Sequence, residues 1–363
     1  MASKKIIISG GGTGGHIFPA LAIAKEFKKQ QPDCEILFVG AEGKMEMEKV
    51  PRAGFNIEAL PIAGMQRKLS LKNLALPVKV IKSLSKAKTI IKNFKPDLAI
   101  GVGGYASAPT LYMASKMGVP TYVQEQNAYP GLTNKIVGAK SNAIFAAYDK
   151  VKDFFPNNTV HVFGNPIRHE VLREIDKSQA REQLNLEDKP TVMFVGGSLG
   201  ARVINQCLIK DVDVLLERGF QVIWQCGKSY WAAHPELKEM SKKGLIVQEF
   251  LDDMALYYGA ADLVVSRAGA LAISELCALG KASIFIPSPY VAEDHQTKNA
   301  MALVEKGAAL MVKEEDVSAK LMATVINTLS SETEIKRYEN QILNLAKPNA
   351  AKDIVDYLLS DKA

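Results

Sequence analysis

The sequence has little cysteine and no clustered metal ligands. Its four cysteines, Cys34, Cys207, Cys226 and Cys277, stand far apart in a chain of 363 residues, and none forms a CxxC pair. This spacing excludes zinc-ribbon and thioredoxin-type motifs and indicates reduced, cytoplasmic thiols. The five histidines are isolated and no HExxH motif occurs. We therefore expect no structural metal.

The chain also lacks a long apolar run. No hydrophobic stretch reaches the roughly 20 residues that a membrane-spanning helix needs. The first five residues lead directly into a strand-like run, with no signal-peptide core. Hydrophobic residues make up 47% and charged residues 23% of the chain, as in soluble globular proteins. Because 363 residues exceed what one hydrophobic core usually serves, we expect two domains.

Negative charge is missing from one long stretch. No acidic residue lies between Glu58 and Asp97, although the net charge of the chain is only +6. Phe94 is the only aromatic residue there and no arginine cluster occurs, which argues against nucleic acid as a partner. Basic and apolar residues alternate, and this pattern suits an anionic membrane surface; an ordinary sheet-covering helix with a solvated lysine face is the alternative. The predicted membrane contacts are Arg67, Lys68, Lys72, Leu76, Lys79 and Lys82.

A glycine-rich turn organises the first half of the chain. The apolar run at residues 6–8 stops at five glycines between positions 10 and 15, and a helical pattern opens at Pro19. Glycine permits a tight turn and close approach of a ligand, and a helix N-terminus attracts phosphate. His16 adds a titratable group. A turn that binds no ligand is one alternative; a dinucleotide site with Glu42 as the ribose-binding acid is another.

Short β-rich runs alternate with helical segments, which predicts parallel sheets covered on both faces. A second glycine-rich turn at residues 196–202 repeats the opening motif, after a break at 164–168. Two such turns suggest two phosphate-bearing ligands, whereas a plain dehydrogenase needs only one. We expect strands at 5–9, 35–40, 55–60, 97–102, 121–124, 142–145, 159–163, 191–195, 221–225, 245–248, 263–266, 283–286 and 309–312.

Eight motifs occur in a fixed order: GGGTGGH (10–16), GGY (103–105), EQN (125–127), GNPIR (164–168), GGSLGAR (196–202), EFLDDM (249–254), SRAGA (266–270) followed by SE (274–275), and DHQ (294–296). This ordered set closely resembles glycosyltransferase family 28, the peptidoglycan N-acetylglucosaminyltransferases, over almost the whole chain. The resemblance implies an α/β GT-B fold with two Rossmann-like parallel-sheet domains facing a deep cleft. Residues 1–164 would bind the acceptor and face the membrane, residues 165–345 would bind UDP-GlcNAc, and residues 346–363 would pack back on the first domain.

The resemblance also implies an activity. GlcNAc would pass from UDP-GlcNAc to the C4 hydroxyl of MurNAc in lipid I, with inversion, to form lipid II. The enzyme would be peripheral, on the cytoplasmic face of the inner membrane, and would need no cofactor or catalytic metal. Its partners would be UDP-GlcNAc, lipid I, an anionic membrane surface and other cell-wall synthesis proteins. The alternatives are a UDP-GlcNAc 2-epimerase, an NAD(P)-linked oxidoreductase and a non-catalytic scaffold.

Site residues follow from the matched motifs. His16 is the predicted base because imidazole titrates near neutral pH; its other possible role is phosphate contact, with Glu125 as the alternative base. Glu275 would hold the ribose, unless it is a solvated helix-start residue. Arg267 would offset charge on UDP or form a structural salt bridge. The donor contacts are Thr13, Gly14, Gly15, Asn127, Arg168, Gly197, Ser198, Leu251, Arg267, Gly269, Ala270, Leu271, Glu275 and Gln296, and the acceptor contacts are Thr13, Gly14, Gly15, Gly103, Gly104 and Tyr105.

Two details qualify these assignments. Thr297 stands where some family members carry a second glutamine, so which residue there contacts the sugar is left open. Asp252 and Asp253 are adjacent carboxylates that could suggest a metal site, but they lie at a predicted helix start. Capping of that helix is the simpler interpretation, because an aspartate there can accept from a free backbone N–H.

Overall fold

The computed structural model describes residues 3–62, 76–197 and 199–360, and these residues form two compact units. The first unit comprises Met1–Arg168 and Lys347–Ala363, and the second comprises His169–Ala346. The divisions therefore fall within a few residues of the predicted ones, after 164 and 345. Among the described residues, no helix combines the length and apolar character needed to cross a bilayer.

The first unit contains a seven-stranded sheet in the order β3-β2-β1-β4-β5-β6-β7, with every neighbouring pair parallel. Its strands are β1 (Lys5–Ser9), β2 (Glu35–Ala41), β3 (Asn56–Leu60), β4 (Leu98–Gly101), β5 (Thr121–Glu125), β6 (Ala143–Ala146) and β7 (Val160–His161). Its helices are α1 (Gly14–Gln30), α2 (Glu46–Arg52), α3 (Leu76–Phe94), α4 (Ser107–Lys116), α5 (Leu132–Gly138) and, from the chain end, α14 (Ala350–Leu359).

Strand β1 shows why its sequence is apolar without alternation. Ile6 and Ile8 pack into one core with Phe27 of α1, whereas Ile7 faces the opposite core with Ile91 of α3. Successive side chains of a strand point to opposite faces, so a strand covered by helices on both sides needs apolar residues throughout. Ile354 of α14 completes the first core, which ties the chain end to the first unit.

The second unit contains a six-stranded sheet in the order β10-β9-β8-β11-β12-β13, again parallel throughout. Its strands are β8 (Thr191–Val195), β9 (Gln221–Gln225), β10 (Leu245–Gln248), β11 (Leu263–Ser266), β12 (Ala282–Phe285) and β13 (Leu310–Met311). Its helices are α6 (Lys177–Gln183), α7 (Arg202–Glu217), α8 (Lys228–Ala233), α9 (Met254–Ala260), α10 (Ala270–Ala278), α11 (His295–Val304), α12 (Val317–Leu329) and α13 (Glu332–Leu343).

Both sheets reverse their strand order at an equivalent place. The reversal lies between β1 and β4 in the first unit and between β8 and β11 in the second. Ligands of open parallel sheets bind beyond the carboxyl ends of the strands at this point. Each glycine-rich turn follows the first strand of its pair, so the predicted turns lie at the two switch points.

Several predicted boundaries are wrong in detail. Helix α1 begins at Gly14, five residues before Pro19, because Thr13 is the extended N-cap residue and its carbonyl accepts from Ile17 N. After the break at 164–168, a short 3-10 turn precedes α6, which starts after Asp176 because that carboxylate caps it. Strands β7 and β13 are shorter than predicted, and β12 is shifted by one residue toward the N-terminus.

Candidate active site

The first glycine-rich turn packs directly against the turn that follows β4. Gly11 N donates to Gly103 O at 3.2 Å. A Cβ atom at Gly104, whose φ is +86°, would lie 2.3 Å from Gly11 O. Only glycine fits so close to another backbone in this left-handed conformation. Gly104 is therefore required for packing between the turns, whereas Tyr105 beside it is exposed.

His16 lies in the first turn of α1 and is half-buried. Its Nδ1 lies 2.9 Å from Gly11 O and 3.4 Å from Thr13 Oγ1. A carbonyl oxygen can only accept, so Nδ1 donates to Gly11, and a neutral ring then carries its lone pair on Nε2. A Cβ atom at Gly103 would lie 2.9 Å from that Nε2. The absence of a side chain at Gly103 leaves room for the basic edge of the ring.

Glu125, at the end of β5, is only 1% exposed and holds the following turn together. Its Oε1 accepts from Asn127 N at 2.9 Å and from Asn127 Nδ2 at 3.2 Å. Its Oε2 accepts from Gly131 N at 3.1 Å and from Asn134 Nδ2 at 2.8 Å. Burial raises the pKa of Glu125, and these hydrogen bonds oppose the rise. Both oxygens of Glu125 are therefore engaged by groups of its own turn and of α5.

A network of buried amide side chains lies beneath this turn, and the sequence analysis gave its members no role. Gln126 Nε2 donates to Val102 O at 2.9 Å, and Gln124 Nε2 donates to Asn165 Oδ1 at 3.0 Å. Asn165 Nδ2 in turn donates to Gln126 O at 3.0 Å. The network links the carboxyl ends of β4 and β5 to the predicted break at 164–168. The signal available in the sequence was the amide residues Gln124, Gln126 and Asn127 around Glu125, at the end of β5.

Arg168 closes this region of the first unit. It is half-buried, and its guanidinium lies 5.2 Å from the centre of the Phe18 ring. Phe18 belongs to the first turns of α1, two residues after His16. A guanidinium over an aromatic ring keeps its charge while its orientation is restricted. Arg168 is therefore a cation held close to the N-terminus of α1.

The second glycine-rich turn precedes α7. A Cβ atom at Gly200 would lie 2.0 Å from Cys226 O, so this glycine packs tightly against the end of β9. By contrast, Gly197 is exposed, and among the described residues, its chain neighbours aside, none has an atom within 4 Å of its Cβ position. Ser198, the predicted diphosphate contact between them, lies outside the described residues. The 16-residue helix α7 directs its first N–H groups toward this turn.

Helix α10 carries the predicted ribose contact. Gly269 is its N-cap residue, and Ala270 and Leu271 form its first turn. Glu275 is only 5% exposed. The alternative interpretation of Glu275 as a solvated helix-start residue is therefore wrong. A carboxylate is buried in proteins when it has polar partners, and a bidentate acceptor suits two vicinal hydroxyls.

Two neighbouring predictions have clear structural outcomes. Asp253 is the N-cap residue of α9 and accepts from Leu256 N, which confirms the capping interpretation.

Arg267 forms an ion pair with Glu314 at 2.5 Å and donates to Ile286 O at 3.2 Å. The ion pair predicted as the alternative role of Arg267 is therefore present, and its role toward UDP stays a prediction. The side chain of Leu251 is fully buried, so only its backbone can face a ligand.

The turn before α11 is strained. Glu293 and Asp294 both adopt left-handed backbone angles, with φ of +55° and +49°. Such conformations cost about 1 kcal/mol or more for non-glycine residues and cluster at functional sites. Thr297 Oγ1 donates to Asp294 Oδ1 at 2.7 Å, and Gln296 Oε1 accepts from Ser288 N at 2.8 Å. Thr297 therefore stabilises this turn through its hydroxyl group.

Some of the predicted membrane contacts lie outside the described residues, and the others belong to α3. Arg67, Lys68 and Lys72 lie outside the described residues, and Leu76 begins α3. In the next turns of α3, Val78 and Ile81 are 54% and 67% exposed, and Lys79 and Lys82 lie between and beside them. Further along, Ala87, Ile90 and Ile91 are buried against the sheet. An ordinary sheet-covering helix accounts for the second half of α3 but not for the exposed apolar residues of the first.

Two doubly wound parallel sheets, each with a glycine-rich turn and a helix N-terminus at its switch point, are the pattern of the GT-B fold class. The chain belongs to glycosyltransferase family 28. It matches the N-terminal domain of that family over residues 6–146 and the C-terminal domain over residues 191–357.

Individual relatives agree with this assignment. A Bacteroides thetaiotaomicron protein named UDP-N-acetylglucosamine–N-acetylmuramyl-(pentapeptide) pyrophosphoryl-undecaprenol N-acetylglucosamine transferase is 49% identical over 363 residues, covering 98% of this chain and 97% of that protein. The crystal structure of MurG from Acinetobacter baumannii has a TM-score of 0.77 at 29% identity, over 97% of this chain and 98% of that one. A Neisseria meningitidis UDP-GlcNAc 2-epimerase bound to UDP-GlcNAc has a TM-score of 0.68 at 15% identity, over 98% and 99% of the two chains, and so shares the fold alone.

Proposed function

We propose that this enzyme transfers GlcNAc from UDP-GlcNAc to the C4 hydroxyl of MurNAc in lipid I, with inversion at the anomeric carbon, and so forms lipid II. The observation that carries the proposal is the 49% identity, over 98% of the chain, to a relative named for this transfer. The alternative, a UDP-GlcNAc 2-epimerase, is supported by a similarity of fold at 15% sequence identity. The two activities differ in whether an acceptor is needed.

The dinucleotide alternative has a structural difficulty. In a G-x-G-x-x-G turn, the backbone N–H groups approach a pyrophosphate. Here Gly12 N donates to the carboxylate of Glu46 at 2.8 Å. A second anion at the same N–H group would face this carboxylate directly. The N–H group of Gly12 is therefore already bonded, which argues against a dinucleotide pyrophosphate at this position of the turn.

In the proposed mechanism, His16 is the general base. Its Nε2 removes the proton of the C4 hydroxyl as that oxygen forms a bond to the anomeric carbon. The bond from the anomeric carbon to the UDP oxygen breaks at the same time, and UDP leaves with both electrons. The hydrogen bond from Nδ1 to Gly11 O supports this role, because it fixes the tautomer with a basic Nε2.

The second unit supplies groups suited to the donor. Buried Glu275 would accept from the ribose hydroxyls, and the backbone at Leu251 would contact uracil. The turn at 196–201, with Gly197 and Ser198, and the N-terminus of α10 would hold the diphosphate, because free N–H groups at a helix start favour anions. Gln296 would contact sugar hydroxyls. Arg168 and Arg267 would offset the charge on departing UDP, and Asn127 would contact the sugar.

The first unit supplies groups suited to the acceptor. Thr13, Gly14 and Gly15 at the start of α1 would contact a pyrophosphate, together with the turn at 103–105. The exposed apolar residues Val78 and Ile81 and the neighbouring lysines support attachment to an anionic membrane. We propose a peripheral location on the cytoplasmic face of the inner membrane. Other cell-wall synthesis proteins remain predicted partners.

The proposal is tested by UDP release from UDP-GlcNAc with and without a short-chain lipid I analogue. Release that depends on the analogue, with GlcNAc transferred to it, supports the transferase. Formation of the 2-epimer of UDP-GlcNAc without acceptor supports the epimerase instead. Absence of both products, in a protein that UDP protects against thermal unfolding, would contradict both activities.

A further inference from the structure

Glu46 is a buried acidic residue that the proposed mechanism does not use. It lies at the first position of α2 and is only 1% exposed. Its Oε1 accepts from Ala41 N at 3.0 Å, and its Oε2 accepts from Gly12 N at 2.8 Å. Both acceptors of the carboxylate are therefore satisfied by backbone N–H groups, one from the end of β2 and one from the first glycine-rich turn.

Two glycines make room for this side chain. A Cβ atom at Gly11 would lie 2.2 Å from Glu46 Cδ, and one at Gly40 would lie 2.6 Å from Glu46 Cγ. Neither position could carry another residue without displacing the carboxylate. Part of the glycine-rich turn is thus shaped around a side chain of the protein itself.

The same peptide unit connects Glu46 to His16. The N–H of Gly12 donates to Glu46 Oε2, and the carbonyl of Gly11, on the other side of that peptide bond, accepts from His16 Nδ1 at 2.9 Å. Hydrogen bonds in series polarise one another, so a carboxylate on the N–H makes the carbonyl a stronger acceptor. A stronger acceptor at Nδ1 favours the protonated ring. A carboxylate that orients a histidine directly acts in the same sense.

We propose that Glu46 is a positioning residue for His16 and acts through the Gly11–Gly12 peptide. The carboxylate holds the Gly11 carbonyl in place, keeps the proton of the neutral ring on Nδ1 and makes Nε2 more basic. This inference rests on the proposed role of His16 as the base. The charged or titratable groups on the neighbouring segments are Tyr105, two residues after Gly103, Glu125, which accepts from Asn134, and Arg168, which lies over the ring of Phe18 in α1.

The test compares wild type, Glu46→Gln and Glu46→Asp. Gln keeps the size but removes the charge, and Asp keeps the charge but is one methylene too short. Glu48→Gln is the matched control, because Glu48 lies in the same helix with an exposed side chain. The measurements are kcat, KM for UDP-GlcNAc, the pH profile of kcat/KM, and ¹⁵N NMR titration of the His16 ring.

We expect both Glu46 variants to lower kcat about tenfold or more, with KM changed less than about twofold. In Glu46→Gln the acidic midpoint of the kcat/KM profile and the NMR midpoint of His16 both move to lower pH, by about half a unit or more, because a nearby negative charge is removed. Glu48→Gln leaves all these values unchanged. A loss of activity with unchanged midpoints and an unchanged His16 tautomer overturns the proposal and leaves only a structural role.

This design distinguishes a failure of the proposed function from a failure of the proposed role of Glu46. If wild type releases no UDP with the lipid I analogue, the proposed function fails, while the NMR titration still measures the link between Glu46 and His16. If Glu46→Gln does not fold, the proposal is tested with Glu46→Asp alone, through the proton position on His16 and kcat. A wild-type proton position and wild-type kcat in Glu46→Asp would then overturn the proposal.

Discussion

The two units share a strand–turn–helix arrangement, but the glycine-rich turns make different contacts. In the first, the N–H of Gly12 is bonded to Glu46 and the carbonyl of Gly11 to His16. In the second, Gly200 is packed against the end of β9, whereas Gly197 is exposed. A glycine-rich turn can therefore be bonded to a side chain of the protein, as in the first unit, or keep an exposed glycine, as in the second. The motif alone does not distinguish the two.

The largest expected effect concerns the two glycines of the second turn. Both have left-handed backbones, with φ of +82° at Gly197 and +81° at Gly200, so an alanine is strained at either. Only at Gly200 would the new Cβ also meet a backbone oxygen, at 2.0 Å. We expect Gly200→Ala to lower the free energy of unfolding by about 3 kcal/mol or more and Gly197→Ala by about 1 kcal/mol. Urea unfolding of both variants checks this. Equal losses would contradict the packing role of Gly200.

The next effect separates catalysis from binding. We expect His16→Ala to lower kcat for UDP release by about a hundredfold or more, because the base is lost while the donor-binding residues are intact. His234→Ala is the matched control, since His234 pairs with Glu236 and has no proposed role. If His16→Ala kept kcat and raised only KM, phosphate contact would replace base catalysis as its role.

Glu275→Gln probes the second unit. We expect KM for UDP-GlcNAc to rise about tenfold, with kcat within about threefold of wild type, because an ionised acceptor for two hydroxyls is replaced by a neutral one. Thermal protection by UDP should weaken to the same degree. Glu332→Gln, on the exposed surface of α13, serves as the control. An unchanged KM would remove Glu275 from the donor site.

The smallest effect concerns α3. We expect Ile81→Ser to weaken binding to anionic vesicles about fivefold without lowering the melting temperature, because this exposed side chain would lose contact with lipid only. Ile209→Ser, at an exposed isoleucine of α7 in the second unit, is the control and should bind as wild type does. Co-sedimentation with vesicles at low and high salt measures both variants. Equal binding of Ile81→Ser and wild type would exclude this part of α3 from the membrane contact.

Much of the fold followed from local pattern. The predicted bounds of β1, β8 and β9 are confirmed without change, because each is an apolar run ended by a clear break in the sequence. Helix starts were less predictable: α1 begins at Gly14 although glycine is a poor helix former. There the N-cap geometry of Thr13 and the packing of the following apolar face outweigh local propensity.

The sequence by itself determined the order of strands and helices, the two glycine-rich turns and the set of residues that resembles family 28. These depend on neighbours along the chain. Only the tertiary structure decided which backbone groups of a turn are already bonded. Gly12 and Glu46 are 34 positions apart, and they meet because β1 and β2 are adjacent parallel strands. Likewise, the sequence did not show that Asn134 of α5 donates to the Glu125 carboxylate; the fold brings these two side chains together.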